Sequence, residues 1–155
     1  MLTTLPRKCH AKPQRSVAIL SAGQKSLTVP KETTVHEAAR LMKKMRVGAA
    51  MVVAKDKLIG IFTERDALFR VLAEGRDPTT TKLADVMTAK PHAIAPDRSF
   101  GYALHLMYEG GFRHVPVVEN GRPIGMVSAR DALGPELQQF AAELERKTQI
   151  GEILG

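Results

Sequence analysis

An internal repeat constrains this chain more than any other feature. Residues 29–68 align with residues 94–133 at a constant offset of 65 without a gap, and eleven of the forty aligned positions are identical. Chance rarely holds one register over such a span, so the match indicates a duplicated unit. One such unit has too little core to be stable alone, because small chains bury a small fraction of their surface. The repeat therefore predicts two similar units packed against each other.

Both repeats show the same order of predicted elements. In the first repeat, a short strand ends near Val29, Thr34 caps a helix, strands cover 50–53 and 58–62, and a second helix begins at Thr63. The second repeat has the same elements at Ile94, Ser99, 115–118, 124–127 and Ser128. The predicted fold is α/β (α+β), with two β-α-β-β-α repeats packed sheet to sheet as one pseudo-symmetric module.

The rest of the chain follows from these repeats. We expect a basic flexible tail at 1–15, the first repeat at 16–75, a linker with a short helix near Leu83 at 76–90, the second repeat at 91–134, and a C-terminal helix and tail at 135–155. Gly134 and Pro135 separate the second repeat from that last helix, because proline suits the first turn of a new helix.

Charge and composition limit the function classes. The net charge is +7, but residues 1–25 carry five bases and no acid, which leaves 18 bases against 16 acids elsewhere. Charge alone gives salt-sensitive, non-specific binding, so we expect no nucleic-acid partner, although binding through this tail remains an alternative. The sequence has no apolar run of the roughly 18 residues that a membrane span requires. A single cysteine, Cys9, cannot form an internal disulfide, and a cytoplasmic location is expected.

The most informative motif occurs once in each repeat. Residues 60–66 read Gly-Ile-Phe-Thr-Glu-Arg-Asp, and residues 125–131 read Gly-Met-Val-Ser-Ala-Arg-Asp. Backbone N–H groups and a hydroxyl at a helix start favour phosphate, an arginine can pair with phosphate, and a carboxylate can accept hydrogen bonds from a ribose diol. The alternative is structural, because Thr-x-x-Asp and Ser-x-x-Asp are also helix-capping pairs and the arginines could be surface cations.

This pattern, a glycine, two apolar residues, Thr or Ser, two further residues and Asp after paired strands, resembles the nucleotide-binding signature of CBS domains. The chain is similar to a tandem CBS pair (a Bateman module) of the small stand-alone bacterial type, over about residues 16–134. The resemblance implies two related clefts between the repeats that bind adenosine ligands. It also implies that the aspartate holds the ribose hydroxyls and that Thr or Ser contacts phosphate.

The resemblance further implies the residues of each cleft. One would combine Thr63, Arg65 and Asp66 with Arg98, Ser99, Ala103, Phe112 and Arg113. The other would combine Ser128, Arg130 and Asp131 with Thr33, Thr34, Ala38, Val47 and Gly48. His114 and Arg113 precede the middle strand of the second repeat, where similar modules place phosphate-binding cations. Their counterparts, Ala49 and Gly48, are uncharged, so we expect the clefts to differ in phosphate preference.

The expected function is therefore regulatory. We expect a module that senses an adenine nucleotide of the AMP, ADP or ATP class, requires no other cofactor and is not an enzyme. The alternatives are a module that binds NAD(H) or S-adenosylmethionine as the regulatory partner of an enzyme, or a nucleic-acid-binding protein. The sequence has no catalytic triad pattern and no zinc spacing among its histidines, and the adjacent Cys9 and His10 do not make a metal site.

The expected partners are a second copy of the chain and a downstream protein that the sequence does not identify. The predicted dimer surface comprises residues on the first helix of each repeat and an amphipathic stripe in the C-terminal segment: Ala39, Met42, Leu104, Met107, Tyr108, Leu137, Phe140, Ala141 and Leu144.

Overall fold

The computed structural model describes residues 15–134 and 142–148. The first half of the chain forms α1 (Val17–Ala22), β1 (Thr28–Pro30), α2 (Val35–Met45), β2 (Ala49–Ala54), β3 (Lys57–Thr63) and α3 (Glu64–Asp66), which continues as a π-helix over Ala67–Leu72. The second half forms α4 (Leu83–Val86), β4 (Thr88–Ala89), α5 (Phe100–Gly110), β5 (His114–Glu119), β6 (Arg122–Ser128) and a 3-10 helix over Ala129–Leu133.

The C-terminal segment is described only in part. Residues 142–148 are helical, and Leu144 is half exposed. Residues 1–14, 135–141 and 149–155 lie outside the described residues, and they include most of the predicted amphipathic stripe and most of the basic tail. Within the described ranges, no helix is long and apolar enough to cross a membrane.

The two repeats build unequal sheets. The first sheet has the order β1-β2-β3-β4, with β1 parallel to β2 and the other pairs antiparallel. The second sheet contains β5 and β6, which are antiparallel. The strand predicted near Ile94 is reduced to one bridge, in which the Ile94 N–H donates to Pro116 and the Ile94 carbonyl accepts from Val118. Pro91 and Pro96 flank it, and proline has no N–H with which to extend a ladder.

The first helix of each repeat begins at the capping residue that the sequence predicts. Thr34 and Glu37 form the expected capping box at the start of α2, and the Ser99 hydroxyl accepts from the Tyr102 N–H at the start of α5. Each helix ends at a residue in the left-handed conformation, Arg46 with φ 56° and Gly111 with φ 68°. A hydroxyl cap at the start and a left-handed residue at the end therefore delimit both helices in the same way.

The short helices before each repeat cross over to the other one. Val17 of α1 is fully buried in the core of the second repeat, together with Phe100 and Val115. Leu83 and Val86 of α4 are fully buried in the core of the first repeat. This reciprocal packing ties the repeats together, because burying a large apolar side chain contributes about 1.5–3 kcal/mol.

A third apolar cluster lies between the two sheets. It contains Ala49, Met51 and Ile61 from the first sheet and Met126 from the second. The backbone adds a bond across the repeats, since the Leu58 N–H donates to the Gly121 carbonyl at 3.0 Å. The sheet-to-sheet packing predicted from the repeat is therefore confirmed.

Two residues of the predicted dimer surface were misplaced. Met42 and Met107 are 7% and 4% exposed, and each is buried in the core of its own repeat. Their helical spacing is that of an inward face, which sequence periodicity alone does not distinguish from an interface. Tyr108, by contrast, is 89% exposed.

Candidate functional site

The first copy of the motif forms a buried hydrogen-bonded cluster around Asp66. The Asp66 carboxylate accepts from the Thr63 N–H at 3.0 Å and the Thr63 hydroxyl at 3.1 Å. It also lies 3.5 Å from Arg70 Nε and accepts from the Thr88 hydroxyl at 3.5 Å. Asp66 is 8% exposed, and its oxygens are used within the protein. The capping role expected as the structural alternative is therefore present here.

The second copy is more open. The Asp131 carboxylate accepts from the Ser128 N–H at 2.6 Å and the Ser128 hydroxyl at 3.4 Å, so the capping arrangement is repeated. Its remaining contact is with Gln24, whose amide donates at 2.7 Å from an exposed side chain. Asp131 itself is only partly buried. A ligand could replace the Gln24 contact at lower cost than the ion pair and burial around Asp66.

An equivalent backbone hydrogen bond holds the start of the motif helix in each repeat. The Glu64 N–H donates to the Gly48 carbonyl at 3.1 Å, and the Ala129 N–H donates to the Arg113 carbonyl at 2.9 Å. These two bonds are equivalent in the repeats. Each one fixes the start of a motif helix beside the residue that precedes the middle strand of the same repeat.

Residues of both repeats line a cleft of about 900 Å³ at this position, which we call the central cleft. The first repeat contributes Ala39, Met42, Lys43, Arg46, Val47, Gly48, Phe62, Glu64 and Ala67. The second repeat contributes Arg113, His114, Ser128, Ala129, Arg130 and Leu133. Pockets for small molecules typically enclose about 300–1,000 Å³, so the volume suits a ligand of nucleotide size.

The central cleft combines an apolar wall with positive charge. Among the described residues that line it, the fixed cations are Lys43, Arg46, Arg113 and Arg130 and the one acid is Glu64, which gives a net charge of +3. The apolar lining includes the fully buried Phe62. Guanidinium groups pair well with phosphate oxygens, and an apolar surface suits a planar base. The cleft is therefore suited to an anionic ligand with an apolar part.

His114 is the titratable group set deepest in this cleft. Burial lowers the pKa of its imidazole, Glu64 opposes that effect, and the positive charges of Arg113 and Arg130 reinforce it. His114 is therefore favoured in its neutral form while the cleft is empty of an anion. A bound anion would reverse that preference, since an opposite charge nearby stabilises the imidazolium.

The structure regroups the residues of the two predicted clefts. Val47, Gly48, Ser128 and Arg130 line the central cleft together, as the resemblance implied for one site. Arg113, which we assigned to the other site, lies in this cleft as well. The reason is geometric: the starts of β2 and β5 lie side by side, with His114 Nε2 only 3.4 Å from the position that a Cβ at Gly48 would take.

Part of the other predicted cleft is also brought together. Arg65 donates to the Gly111 carbonyl at 3.4 Å, which places this motif arginine beside the turn that precedes Phe112. Phe112 itself stacks on His92 at 5.4 Å. Arg98 lies over the ring of Tyr102 at 5.4 Å. Among the described residues, no hydrogen bond joins Arg98, Ser99 or Ala103 to Thr63 or Asp66.

Several predicted site residues have structural roles in the fold. Thr34 and Ser99 cap the helices α2 and α5, and Ala38 and Ala103 are fully buried in the cores beneath those helices. Thr33 borders a separate groove of about 620 Å³ beside β1 and α2. These residues match the family pattern by position, and the structure does not place them in the central cleft.

Sequence reasoning missed the contribution of α2 and of the variable motif position. Ala39, Lys43 and Arg46 follow at helical spacing and so share one face of α2, a signal that could have been used. Glu64 stands where the second repeat has Ala129, and nothing local marks it as part of a site. Within the described part of the chain, no group of three His, Cys, Asp or Glu could hold a metal ion.

The model of the CBS domain family matches this chain twice, at residues 22–73 and 83–134. The chain belongs to the CBS domain family. The two matches cover both repeats, both motifs and the central cleft between them. Tandem CBS domains form regulatory modules, so the chain is a CBS pair of the regulatory kind.

Relatives and solved structures agree with this assignment. A CBS domain-containing protein of Arabidopsis thaliana is 41% identical over 127 residues, which are 81% of this chain and 23% of the relative, so this CBS pair spans about a quarter of that protein. A CBS-domain containing protein of Agrobacterium tumefaciens has a TM-score of 0.70 and 30% identity over 79% of this chain and 99% of that one. A CBS domain protein of Pyrobaculum aerophilum complexed with AMP has a TM-score of 0.69 and 26% identity over 76% and 89%.

Proposed function

We propose that this CBS pair is a regulatory module that senses an adenine nucleotide of the AMP, ADP or ATP class in the central cleft. The observation that carries the proposal is the lining of the cleft, where four fixed cations surround an apolar wall with a single acid. A phosphorylated nucleoside has the matching chemistry, with anionic and aromatic parts joined by a polar sugar. The AMP complex of the Pyrobaculum relative supports the same ligand class.

The proposed ligand would use two parts of the cleft and the neighbouring Asp131, which follows Arg130 in the chain. Its phosphate would pair with the guanidinium groups of Arg113 and Arg130. Its ribose would approach Asp131 and replace the exposed Gln24 amide as hydrogen-bond donor. Its base would lie against apolar side chains such as Val47. We propose no equivalent site at Asp66, because Arg70 and Thr88 already occupy that carboxylate.

The test is isothermal calorimetry on ligand-stripped protein with AMP, ADP, ATP, NAD and S-adenosylmethionine, which covers the alternative ligands. Arg130→Ala should weaken nucleotide binding about ten- to a hundredfold, the effect of losing a charged hydrogen bond worth roughly 1.5–3 kcal/mol. Arg122→Ala is the matched control, because Arg122 is exposed at the start of β6, the strand whose other end leads into the 3-10 helix that carries Arg130. Absence of binding heat with every adenosine ligand would refute the proposal.

We further propose that the CBS pair forms a homodimer. The π-helix exposes three large apolar side chains, Leu68, Phe69 and Leu72, which are 50–71% exposed. Leu133, the counterpart of Leu68 in the other repeat, is 52% exposed. Clustered exposed apolar side chains mark interaction surfaces, and this patch would form the centre of a two-fold contact between copies.

A further inference from the structure

We propose that the central cleft selects adenosine ligands that end in a phosphate monoester over phosphodiester or cationic ones, and that His114 takes up a proton as such a ligand binds. This inference rests on the proposed function and names the ligand chemistry and the pH linkage of the same site. It makes His114 the residue that determines specificity, although phosphate pairing itself falls to the arginines.

The geometry around Gly48 carries the first step. His114 Nε2 and the carboxylate of Glu64 each lie 3.4 Å from the position that a Cβ at Gly48 would take. Glu64 belongs to the first repeat and His114 to the second, so the missing side chain lets two titratable groups approach from opposite sides of the cleft. Within the described residues no salt bridge joins them. Each group therefore keeps capacity for a further partner.

The charges facing His114 from every neighbouring element carry the second step. They are Lys43 and Arg46 at the end of α2, Glu64 in α3, Arg113 immediately before β5, and Arg130 and Asp131 in the 3-10 helix. Burial and the two arginines nearest the ring lower the pKa of His114, while Glu64 and Asp131 oppose them. The protein's own groups thus favour a neutral imidazole among positive charges.

The chemistry of the ligand carries the third step. The second pKa of a phosphate monoester is near 6, so it is mostly a dianion at neutral pH, and its two charges among the arginines would remove the repulsion that keeps His114 neutral. The imidazole then gains a proton from solvent and donates a charge-assisted hydrogen bond to a phosphate oxygen. A phosphodiester carries one charge per phosphate, and a sulfonium ligand adds a positive charge to the cleft. Binding of either ligand would therefore favour protonation of His114 less, and each would bind more weakly than a phosphate monoester.

The experiment measures protons directly. Calorimetry of AMP binding at pH 7.5 in two buffers of different ionisation enthalpy gives the number of protons taken up, and we expect a measurable fraction of one. Over pH 8 to 6.5 the affinity should rise with falling pH, by at most about tenfold per unit for one linked proton. NAD and adenosine should bind more weakly than AMP and take up fewer protons.

Two variants assign the effect to one residue. His114→Asn should bind AMP more weakly than the parent protein, lose the proton uptake and give a flat pH profile. His36→Asn is the control, because His36 is exposed on α2 and does not line the cleft, and it should behave as the parent protein does. Thermal unfolding of each variant shows that it is folded.

The outcomes separate this inference from the one on which it rests. Heat of AMP binding without proton uptake, proton uptake that survives in His114→Asn, or tighter binding of NAD than of AMP would each overturn the inference and leave nucleotide binding intact. No heat with any ligand would overturn the proposed function, and this inference with it.

Discussion

Asp66 and Asp131 hold equivalent positions in the two repeats, but their surroundings differ. Asp66 is buried and paired with Arg70, whereas Asp131 is partly exposed and, among the residues that the structure describes, bonds outside its own capping box only to Gln24. Burial and internal pairing favour a structural role, since a carboxylate that is already bonded has little to offer a ligand. The same motif residue therefore serves stability in one repeat and is available for binding in the other.

Replacing each aspartate by alanine should separate these roles. Asp66→Ala should lower the free energy of unfolding by about 1–3 kcal/mol, because it removes a cap and leaves buried donors without an acceptor. Asp131→Ala should cost less stability but weaken AMP binding about tenfold or more. Urea denaturation and calorimetry measure the two effects, with Asp97→Ala, an exposed acid, as control. Equal effects of the two variants on both properties would contradict this division.

The pH dependence of stability offers a second test at the residue scale. Because the folded protein holds the pKa of His114 below its ordinary value of 6.5, the unfolded chain binds the proton more readily. Above pH 6.5 the imidazole is mostly neutral in both the folded and the unfolded chain, so it does not affect the free energy of unfolding. As the pH falls below about 6.5, the unfolded chain takes up the proton first and the folded protein loses stability. The unfolding free energy should therefore fall less from pH 7 to pH 5 in His114→Asn than in the parent protein. Parallel curves for the two proteins would refute this.

At the residue scale, the sequence predicted contacts between residues close in the chain, but it did not predict contacts between the two repeats. Thr34 with Glu37 was predictable because a capping box spans three residues of one chain segment. The meeting of Gly48, Glu64 and His114 was not, since it depends on how two repeats pack. Positional analogy misled for Ala38 and Ala103, whose lack of side-chain bulk serves helix packing in the cores.

At the scale of elements, the crossing helices depend on two equivalent glycines. A Cβ at Gly125 would lie 2.8 Å from the Cβ of Ser21, which is fixed to the backbone of α1. A Cβ at Gly60 would meet the far end of the Met87 side chain, which can move. The two glycines therefore occupy equivalent positions, but the atom facing Gly60 can move away and the atom facing Gly125 cannot.

Alanine at these glycines should reveal that difference. Gly125→Ala should destabilise the protein by about 1–3 kcal/mol through displacement of α1, while Gly60→Ala should cost less, because a methionine can adopt another rotamer. The two variants serve as controls for each other in urea denaturation. A larger loss for Gly60→Ala would show that α1 is packed less tightly than described.

The elements themselves were partly predictable. Periodicity and caps predicted the long helices and the paired strands, because these signals are local. The short strand β4 was missed, since two residues carry no pattern of their own and become a strand only by pairing with Gly60 and Ile61. The helix after each motif begins as predicted, but the first continues as a π-helix and the second is a 3-10 helix, which residue patterns do not distinguish.

At the scale of the whole molecule, the proposed homodimer should be visible by light scattering. At micromolar concentration we expect a mass near twice the 16.9 kDa of one chain. Phe69→Glu should shift the mass toward that of the monomer, because it places a charge within the exposed apolar patch of the π-helix. Ile19→Glu is the control, because Ile19 is an exposed apolar residue of α1 outside the π-helix and outside the predicted dimer surface. A single-chain mass for the parent protein, with and without AMP, would refute the dimer.

The reciprocal packing of α1 and α4 has a consequence for how this CBS pair can be inherited or moved into another protein. Val17 of α1 is fully buried in the core of the second repeat, and Leu83 and Val86 of α4 are fully buried in the core of the first. A genetic crossover or an engineered fusion that divides the chain near residue 75 would remove buried side chains from the core of both repeats. We therefore expect the intact pair, and not a single repeat, to be the unit that keeps its fold when it is placed in a larger protein.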